Sequence, residues 1–487
     1  MKYRMKKVPR TPFDGDALHE ECGVFGIYRA ESDEELSPAH ETHTALFALQ
    51  HRGQESCGIA VNCNGVIHCH KDNGLLTDVF DAAKLDKLAG NMAIGHVRYG
   101  SQLQKSRENA QPIVITHVKG NLALAFNGAI SNAHILRREF EMNGGLFRSN
   151  SDAEVLSYTI VQERLRTGSI EEAVAAAMQR LQGAYSMILM SPRKMIAVRD
   201  PHGIRPLCFG KLGDSYVFAS ESCAIDSIGA AFIRDVKPGE IIVVEDGVLR
   251  SIDTGLSQKT AACVFEYIYF ARPDSVIDGA SVEMARQNAG KFLALEHPVA
   301  ADVVIGVPDS GIPAAIGYSK CSGIPYGVGL IKNRYIARTF IQPTQKQRER
   351  AVKIKLNALA EAVRGKRVIM VDDSIVRGTT CARIVNILRE AGATEVHMRV
   401  SSPPFLHPCY FGTDVPSNDA LIAHGRTVEE IRDIIGVDSL GFLSLYATHK
   451  IAQGASVQFC DACFSGKYPI EIPGEPEPNM FEREITK

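Results

Sequence analysis

The chain has 487 residues, enough at about 150 per domain for two large domains or three ordinary ones. Lys+Arg 54 against Asp+Glu 56 leaves a net charge of −2, which argues against a generic nucleic-acid or acidic-membrane binder. Hydrophobic content of 45% and charged content of 23% exclude a disordered chain, and no run reaches the roughly 18 consecutive apolar residues of a membrane span. The opening MKYRMKKVPRTPFDGD is basic but lacks an apolar h-region, so it does not read as a secretory signal. The expectation is a cytoplasmic protein whose 12 cysteines serve as free thiols, catalytic groups or metal ligands rather than disulfides.

From residue 23 to about 250 the pattern is short strands with a few helices. Gly58–His70 reads as a hairpin turning at Asn64-Gly65, and Ile241–Leu249 repeats the signal at Asp246-Gly247. Tyr185–Val198 and Leu207–Ala219 read as further strand pairs. Ser151-x-x-Glu154 and Ser169-x-x-Glu172 are capping boxes opening two helices. These elements predict a layered α+β domain. The polar stretch Ser251–Ala262 reads as a junction. Beyond it, strands at Asp302–Val307, Tyr326–Leu330, Arg367–Val371 and Glu395–Val400 alternate with helices at Pro313–Ser319, Leu356–Val363 and Thr380–Arg389. Such alternation predicts a parallel sheet covered by helices, with ligands beyond the carboxyl ends of its strands. Ile470–Lys487 is rich in Pro and Glu and reads as an extended tail.

Cys22 precedes Gly-Val-Phe-Gly, and alone it reads as a small buried hydrophobe. Four further motifs follow it in order: His51-Arg52-Gly53-Gln54, Gly95-His96-Val97-Arg98-Tyr99, Phe126-Asn127-Gly128 and Ser151-Asp152. Over about residues 22–250 this set resembles the glutamine amidotransferase domain of the N-terminal-nucleophile hydrolases, of four-layer αββα fold. The resemblance implies that residues 1–21 are a propeptide whose removal makes Cys22 the first residue. A free α-amino group, with an ordinary pKa of about 7.7–8.0, can then take the thiol proton. The thiolate attacks the glutamine side-chain amide and a thioester forms. By the same resemblance, Asn127 and the Gly128 N–H form the oxyanion hole. Arg98 holds the substrate α-carboxylate, Asp152 its α-amino group, and Arg52, Gly53 and Tyr99 complete the glutamine pocket.

Val368-Ile-Met-Val-Asp372-Asp373-Ser374-Ile-Val-Arg377-Gly378-Thr379-Thr380 is an apolar strand, two carboxylates, a small-residue loop and a helix start. Backbone N–H groups of such a loop suit a phosphate, whereas the carboxylates suit hydroxyls or Mg²⁺. No Walker A sequence is present, and Lys332 stands where a Gly327-x-Gly329 Rossmann fingerprint needs its third glycine. The motif resembles the type I phosphoribosyltransferase signature for phosphoribosyl pyrophosphate (PRPP). That assigns Asp372 and Asp373 to the ribose hydroxyls and metal, and Ser374–Thr380 to the 5-phosphate. Asp309-Ser310-Gly311 faces pyrophosphate by the same resemblance, with Ser310 near one Mg²⁺ per subunit. Lys332–Lys355 holds eight basic residues and one acidic residue, Glu349. It resembles a loop that closes over PRPP, where basic groups would neutralise pyrophosphate and exclude water.

Phe459-Cys460-Asp-Ala-Cys463 could be a redox pair, half a zinc site or inert. The surroundings of Cys263, Cys409 and Cys460-x-x-Cys463 resemble an iron–sulfur branch of one family, for which four thiolates are a full [4Fe–4S] set. Zn²⁺ on the same sulfurs is the chemical rival.

About residues 20–470 together resemble the amidophosphoribosyltransferase family, of the propeptide-bearing iron–sulfur type. The resemblance divides the chain into propeptide 1–21, glutaminase domain 22–250, phosphoribosyltransferase domain 251–470 and tail 471–487. It implies glutamine hydrolysis at Cys22 and passage of ammonia to PRPP to give 5-phosphoribosylamine. That is the entry step of purine synthesis, inhibited by purine nucleotides of the AMP, GMP and ADP kind, in a homotetramer. Glucosamine-phosphate or asparagine synthesising amidotransferases fit the first half but not 372–380. A nucleic-acid-binding regulator of phosphoribosyltransferase fold has no use for Cys22, Arg98, Asn127 and Asp152.

Overall fold

The structure is a computed structural model that describes residues 22–99, 107–257, 259–333, 356–413 and 417–474. The expected propeptide, the expected PRPP loop beyond Asn333 and the tail beyond Gly474 lie outside the described residues.

Two antiparallel sheets form the first half. One has seven strands, in the order Ala231–Asp235, Cys208–Leu212, Ser215–Ala219, Gly23–Tyr28, Met92–Arg98, Ser56–Cys63 and Val66–Asn73. The other has six, in the order Val248–Asp253, Glu240–Glu245, Lys194–Arg199, Gly183–Met190, Gly120–Ile130 and Ile113–His117. Strand alternation explains the layering, because successive side chains point to opposite faces. In Gly23–Tyr28, Val24 and Tyr28 pack between the sheets with Ile188 and Met190. Phe25 and Ile27 face outward onto the helices Pro38–Ala48 and Ser222–Ser227. In Gly183–Met190, Tyr185, Met187 and Leu189 face the other way, onto Asp152–Arg166 and Ile170–Met178. The result is the expected helix–sheet–sheet–helix stack.

The second half is built on four parallel strands, in the order Val303–Gly306, Arg367–Asp372, Glu395–Val400 and Ser439–Phe442. Val304, Ile369 and Val371 pack on the helices Val282–Glu296 and Gly311–Ser322. Ile305, Val368 and Met370 pack on Thr379–Glu390 and Val428–Ile435. The first helix pair crosses on glycines: a Cβ at Gly290 would lie 1.8 Å from the Ala314 carbonyl oxygen.

Both hairpins turn where expected, with Asn64 and Asp246 at positive φ before Gly65 and Gly247. Three expectations need correction. At Ser151 the hydroxyl accepts from Ala153 N–H, but the Glu154 carboxylate caps Arg148 and Ser149 instead of closing the box. Ser169–Glu172 does close reciprocally. The expected strand Tyr326–Leu330 is broken into a bridge at Tyr326 and the first residue of a strand Leu330–Lys332, with the backbone at Gly327 and Gly329 between them close against Val303 and Ile305. The expected helix Leu356–Val363 divides into a strand Leu356–Ala358, paired with Leu330–Lys332, and one helical turn Ala360–Val363. Tertiary pairing there overrides helical propensity.

The two halves share a buried, charged interface. Arg199 makes a fork to Asp278 at 2.6 and 2.8 Å, with both side chains nearly inaccessible. Arg205 Nε donates to the Phe411 carbonyl at 3.0 Å. Cys263 pairs in parallel register with Cys460, beside Ile204 of the first half.

Candidate active sites

Cys22 sits at the mouth of the strand Gly23–Tyr28. Its Sγ is 3.6 Å from the Tyr99 carbonyl oxygen. Burial pushes its thiol above the ordinary value, while Arg98 and Arg52 draw it down. Arg98 ends the neighbouring strand Met92–Arg98 and is buried. Gly53 lets the chain pass that strand closely, since a Cβ there would lie 2.5 Å from the Val97 carbonyl carbon.

Asn127 lies in the strand Gly120–Ile130 and is 1% exposed, and its Nδ2 has no hydrogen-bond partner among the described residues. A buried amide left unpaired is costly, and a bound ligand that accepted from it would remove that cost. Gly128 has φ +138°, and a Cβ there would lie 2.0 Å from the Ala184 carbonyl oxygen. Asp152 opens the helix Asp152–Arg166 and accepts from Ile130 N–H at 2.9 Å. Burial raises its carboxyl above the usual carboxylate range.

Sequence reasoning missed the residues that fix this centre from behind. Gln111 clamps Phe126, giving its Nε2–H to the carbonyl at 3.2 Å and taking the N–H at 2.8 Å. His96 Nε2 meets the same carbonyl at 2.9 Å, and burial brings its pKa down to about 3, so the ring is neutral and donates. Arg52 does not reach toward the pocket as a free fork. Its guanidinium lies on Glu221 and Glu266, at 2.5 and 2.7 Å, and its Nε donates to the Cys22 carbonyl at 3.1 Å. Burial alone would raise the Glu221 carboxyl, but His51 and Arg52 outweigh it and hold it below its ordinary value. These contacts span up to 214 residues, so no local spacing announces them.

The second constellation stands at the carboxyl end of Arg367–Asp372. Asp372 and Asp373 are both buried, and Asp372 Oδ1 accepts from Asp373 N–H at 3.0 Å. The Ser310 hydroxyl donates to one oxygen of Asp373, and the Ser374 hydroxyl to the other at 2.6 Å. Burial and then Asp373 push Asp372 well above the carboxylate range, and burial raises Asp373 as well. The pair is therefore short of positive charge. Gly311 lets its helix start against the sheet, since a Cβ would lie 2.5 Å from the Val371 carbonyl oxygen. Gly378 has φ +82° and ends the loop Ser374–Gly378 at the start of the helix Thr379–Glu390. Arg377 precedes that glycine, and Thr379 and Thr380 form the first turn. Lys332 Nζ reaches Asp309 at 2.6 Å across the mouth.

Among the described residues, no three His, Cys, Asp or Glu side chains converge on a point that one ion could occupy. Mg²⁺ held by one or two carboxylates and substrate phosphates needs no such group, so the acidic pair fits it. Cys263, Cys409, Cys460 and Cys463 line one small cavity with Phe405, Phe411 and Tyr468. Burial pushes the Cys263 and Cys460 thiols up to about 12. Four thiols around one cavity supply the ligand number of either a [4Fe–4S] cluster or a tetrahedral Zn²⁺.

The fold and these two centres define a glutamine amidotransferase joined to a phosphoribosyltransferase. Residues 96–227 match the glutamine amidotransferase domain family, and residues 285–402 match the phosphoribosyl transferase domain family. The amidophosphoribosyltransferase of Archaeoglobus fulgidus is 49% identical, over 93% of this chain and 99% of its own length. That of Bacillus subtilis is 47% identical, over 96% and 98%. The solved glutamine PRPP amidotransferase of B. subtilis, complexed with ADP and GMP, superposes with a TM-score of 0.85 at 48% identity, over 93% of this chain and 98% of that one. A structure described as the allosteric regulatory enzyme of purine biosynthesis gives 0.88 at 47% identity, over 96% and 100%. The chain belongs to the amidophosphoribosyltransferase family, and it is an enzyme.

Proposed function

We propose that this enzyme makes 5-phosphoribosylamine from glutamine and PRPP, releasing glutamate and pyrophosphate, as the entry step of purine synthesis. The observation that carries the reading is the presence in one chain, joined by a buried charged interface, of a partly buried thiol at a strand mouth, a buried amide donor with no partner among the described residues, and a carboxylate-flanked loop at a helix start.

The chemistry follows from what each group can do. With residues 1–21 removed, the Cys22 α-amine takes the thiol proton and Sγ attacks the glutamine amide carbon. Asn127 Nδ2 and the Gly128 N–H receive the oxyanion. The C–N bond breaks, the amine returns its proton and ammonia leaves. Water then cleaves the thioester to glutamate. Arg98 and Asp152 hold the amino-acid end of the substrate, with Tyr99 and Gly53 shaping the pocket. Arg52 supports the site by holding the Cys22 carbonyl.

At the second centre, Asp372 and Asp373 bind the ribose hydroxyls. Ser374, Arg377, Gly378, Thr379 and Thr380 cradle the 5-phosphate, and Asp309, Ser310, Gly311 and Lys332 face pyrophosphate. Mg²⁺ at Asp372, Asp373 and Ser310 would supply positive charge for pyrophosphate departure. Ammonia displaces pyrophosphate at C1.

The enzyme is of the propeptide-bearing iron–sulfur type, a cytoplasmic homotetramer. Cys263, Cys409, Cys460 and Cys463 would hold a [4Fe–4S] cluster with a structural role, since the transferase reaction moves no electrons. The ADP and GMP complex of the B. subtilis relative supports inhibition by purine nucleotides.

Paired variants test the reading. Cys22→Ala should abolish synthesis from glutamine and keep synthesis from added ammonia, whereas Asp372→Ala should abolish both. Full glutamine-dependent synthesis in either variant would refute the corresponding assignment. Intact-mass measurement should find residues 1–21 missing from active enzyme under denaturing conditions and cluster mass present under native ones.

A further inference from the structure

Arg52 is held in place by the second domain as well as the first. Its side chain is wholly inaccessible, and both Nη atoms donate to Glu266, at 3.0 and 2.7 Å. Glu266 belongs to the turn Glu266–Phe270, three residues beyond Cys263. It also faces Arg205 Nη1 at 3.5 Å. Arg205 Nε in turn donates to the Phe411 carbonyl at 3.0 Å, and Phe411 N–H points to Cys409 Sγ at 3.4 Å. The next residue, Gly412, is pressed on the first domain. A Cβ built there would stand 2.9 Å from Arg205 Nη2 and 3.3 Å from the Gly128 carbonyl carbon.

We propose that Glu266 is a positioning residue of the glutaminase centre, supplied by the transferase domain. It fixes the plane of Arg52, and Arg52 fixes the backbone of the nucleophile through its carbonyl. Arg205 extends the same ion-pair chain to the loop Cys409–Thr413, which backs the oxyanion glycine. A guanidinium held by two parallel charge-assisted bonds has a defined plane, whereas one held by a single oxygen can swing. The bond Arg52 makes to Cys22 lies one residue's backbone away from the attacking sulfur, where small displacements cost rate rather than substrate affinity. The inference rests on Cys22 as nucleophile and Asn127-Gly128 as oxyanion hole.

The test uses full-length processed enzyme and three variants: Glu266→Gln, Glu266→Asp and the pair Glu266→Gln with Arg205→Gln. The pair removes one charge of each sign and so leaves no net charge buried. Synthesis from glutamine and from ammonia is measured side by side, with the labelling rate of Cys22 by a diazoketone analogue of glutamine. Glu266→Gln should lower kcat with glutamine and the labelling rate about 10- to 100-fold, with KM for glutamine changed less than about threefold. Synthesis from ammonia should stay within about twofold, and Glu266→Asp should recover part of the loss. Wild-type kcat with glutamine in Glu266→Gln or in the paired variant would overturn the proposal. So would a parallel fall of both activities in both, which is the mark of a merely structural residue. Cys22→Ala runs alongside: if it still used glutamine, the nucleophile reading would fail whatever Glu266 does.

Discussion

Gly128 shows how one residue type can be required by two demands at once. Its φ of +138° lies where L side chains are strained, and a Cβ would meet the Ala184 carbonyl at 2.0 Å. Gly128→Ala should therefore cost about 1–3 kcal/mol in backbone strain alone. It should also move the N–H proposed to receive the oxyanion. The expected outcome is a lower urea midpoint and loss of synthesis from glutamine, with synthesis from ammonia retained wherever the variant is folded. Asn127, its neighbour, makes the opposite kind of contribution. Its Nδ2 has no partner among the described residues, which is what the proposed oxyanion role requires of a donor. The motif Phe126-Asn127-Gly128 was readable in the sequence, but its supports were not. Gln111 and His96 meet Phe126 only because two strands and a loop are brought together, and a linear pattern carries no sign of that.

At the scale of the element, the capping motifs separate what is local from what is not. Ser169–Glu172 closed as its spacing requires, whereas Glu154 found three donors at Arg148 and Ser149 and left Ser151 to cap alone. Glu171, in the first turn of Ile170–Met178, ties that helix to the sheet edge through Lys194 and Arg250. Burial raises its carboxyl, but the Arg250 and Lys194 bonds outweigh burial and bring it to about 2. A carboxyl whose folded pKa lies below its unfolded value, about 4.3, stabilises fully above that pH. The stabilisation is lost as pH falls from about 4.3 towards 2. Glu171→Gln should therefore be less stable than wild type at pH 7, and the gap in urea midpoints should narrow as pH falls below about 5 and close only towards pH 2. An unchanged gap at pH 3 would show that the loss is one of packing. The two hairpins and the helix Thr379–Glu390 were legible for the same reason that Ser169 was, since their signals repeat within one or two turns of chain, whereas Pro38–Ala48 and Val282–Glu296 were not foreseen. Leu356–Val363 was misread because its fate depends on pairing with Leu330–Lys332.

For the whole molecule, the decisive feature is a domain interface made of buried charge rather than of apolar surface alone. Arg199 and Asp278 face each other at 2.6 Å from opposite domains, both nearly inaccessible. Removing one member of such a pair strands the other, at a cost of about 3–5 kcal/mol. Asp278→Asn is the informative substitution, because asparagine also tolerates the positive φ of 47° at this position. It should lower the unfolding free energy of the full chain by about that amount, read as a fall in the urea midpoint, without changing KM for glutamine. A neutral effect would mean that the interface is held by its packing.

The sequence by itself determined the family and the two kinds of domain. An ordered set of glutaminase motifs and an acidic pair before a small-residue loop sufficed for that, because reactive residue types need particular neighbours along the chain. It also determined the layers, because strand and helix periodicity assign faces without reference to partners. The tertiary structure alone decided which charges meet. Arg52 went to Glu221 and Glu266, Arg205 to Glu266 and the Phe411 carbonyl, and Gly412 to Gly128. A buried ion can lower its energy only beside whichever opposite charge or carbonyl the folded chain brings within about 3 Å, and that distance is fixed by packing across the domain interface.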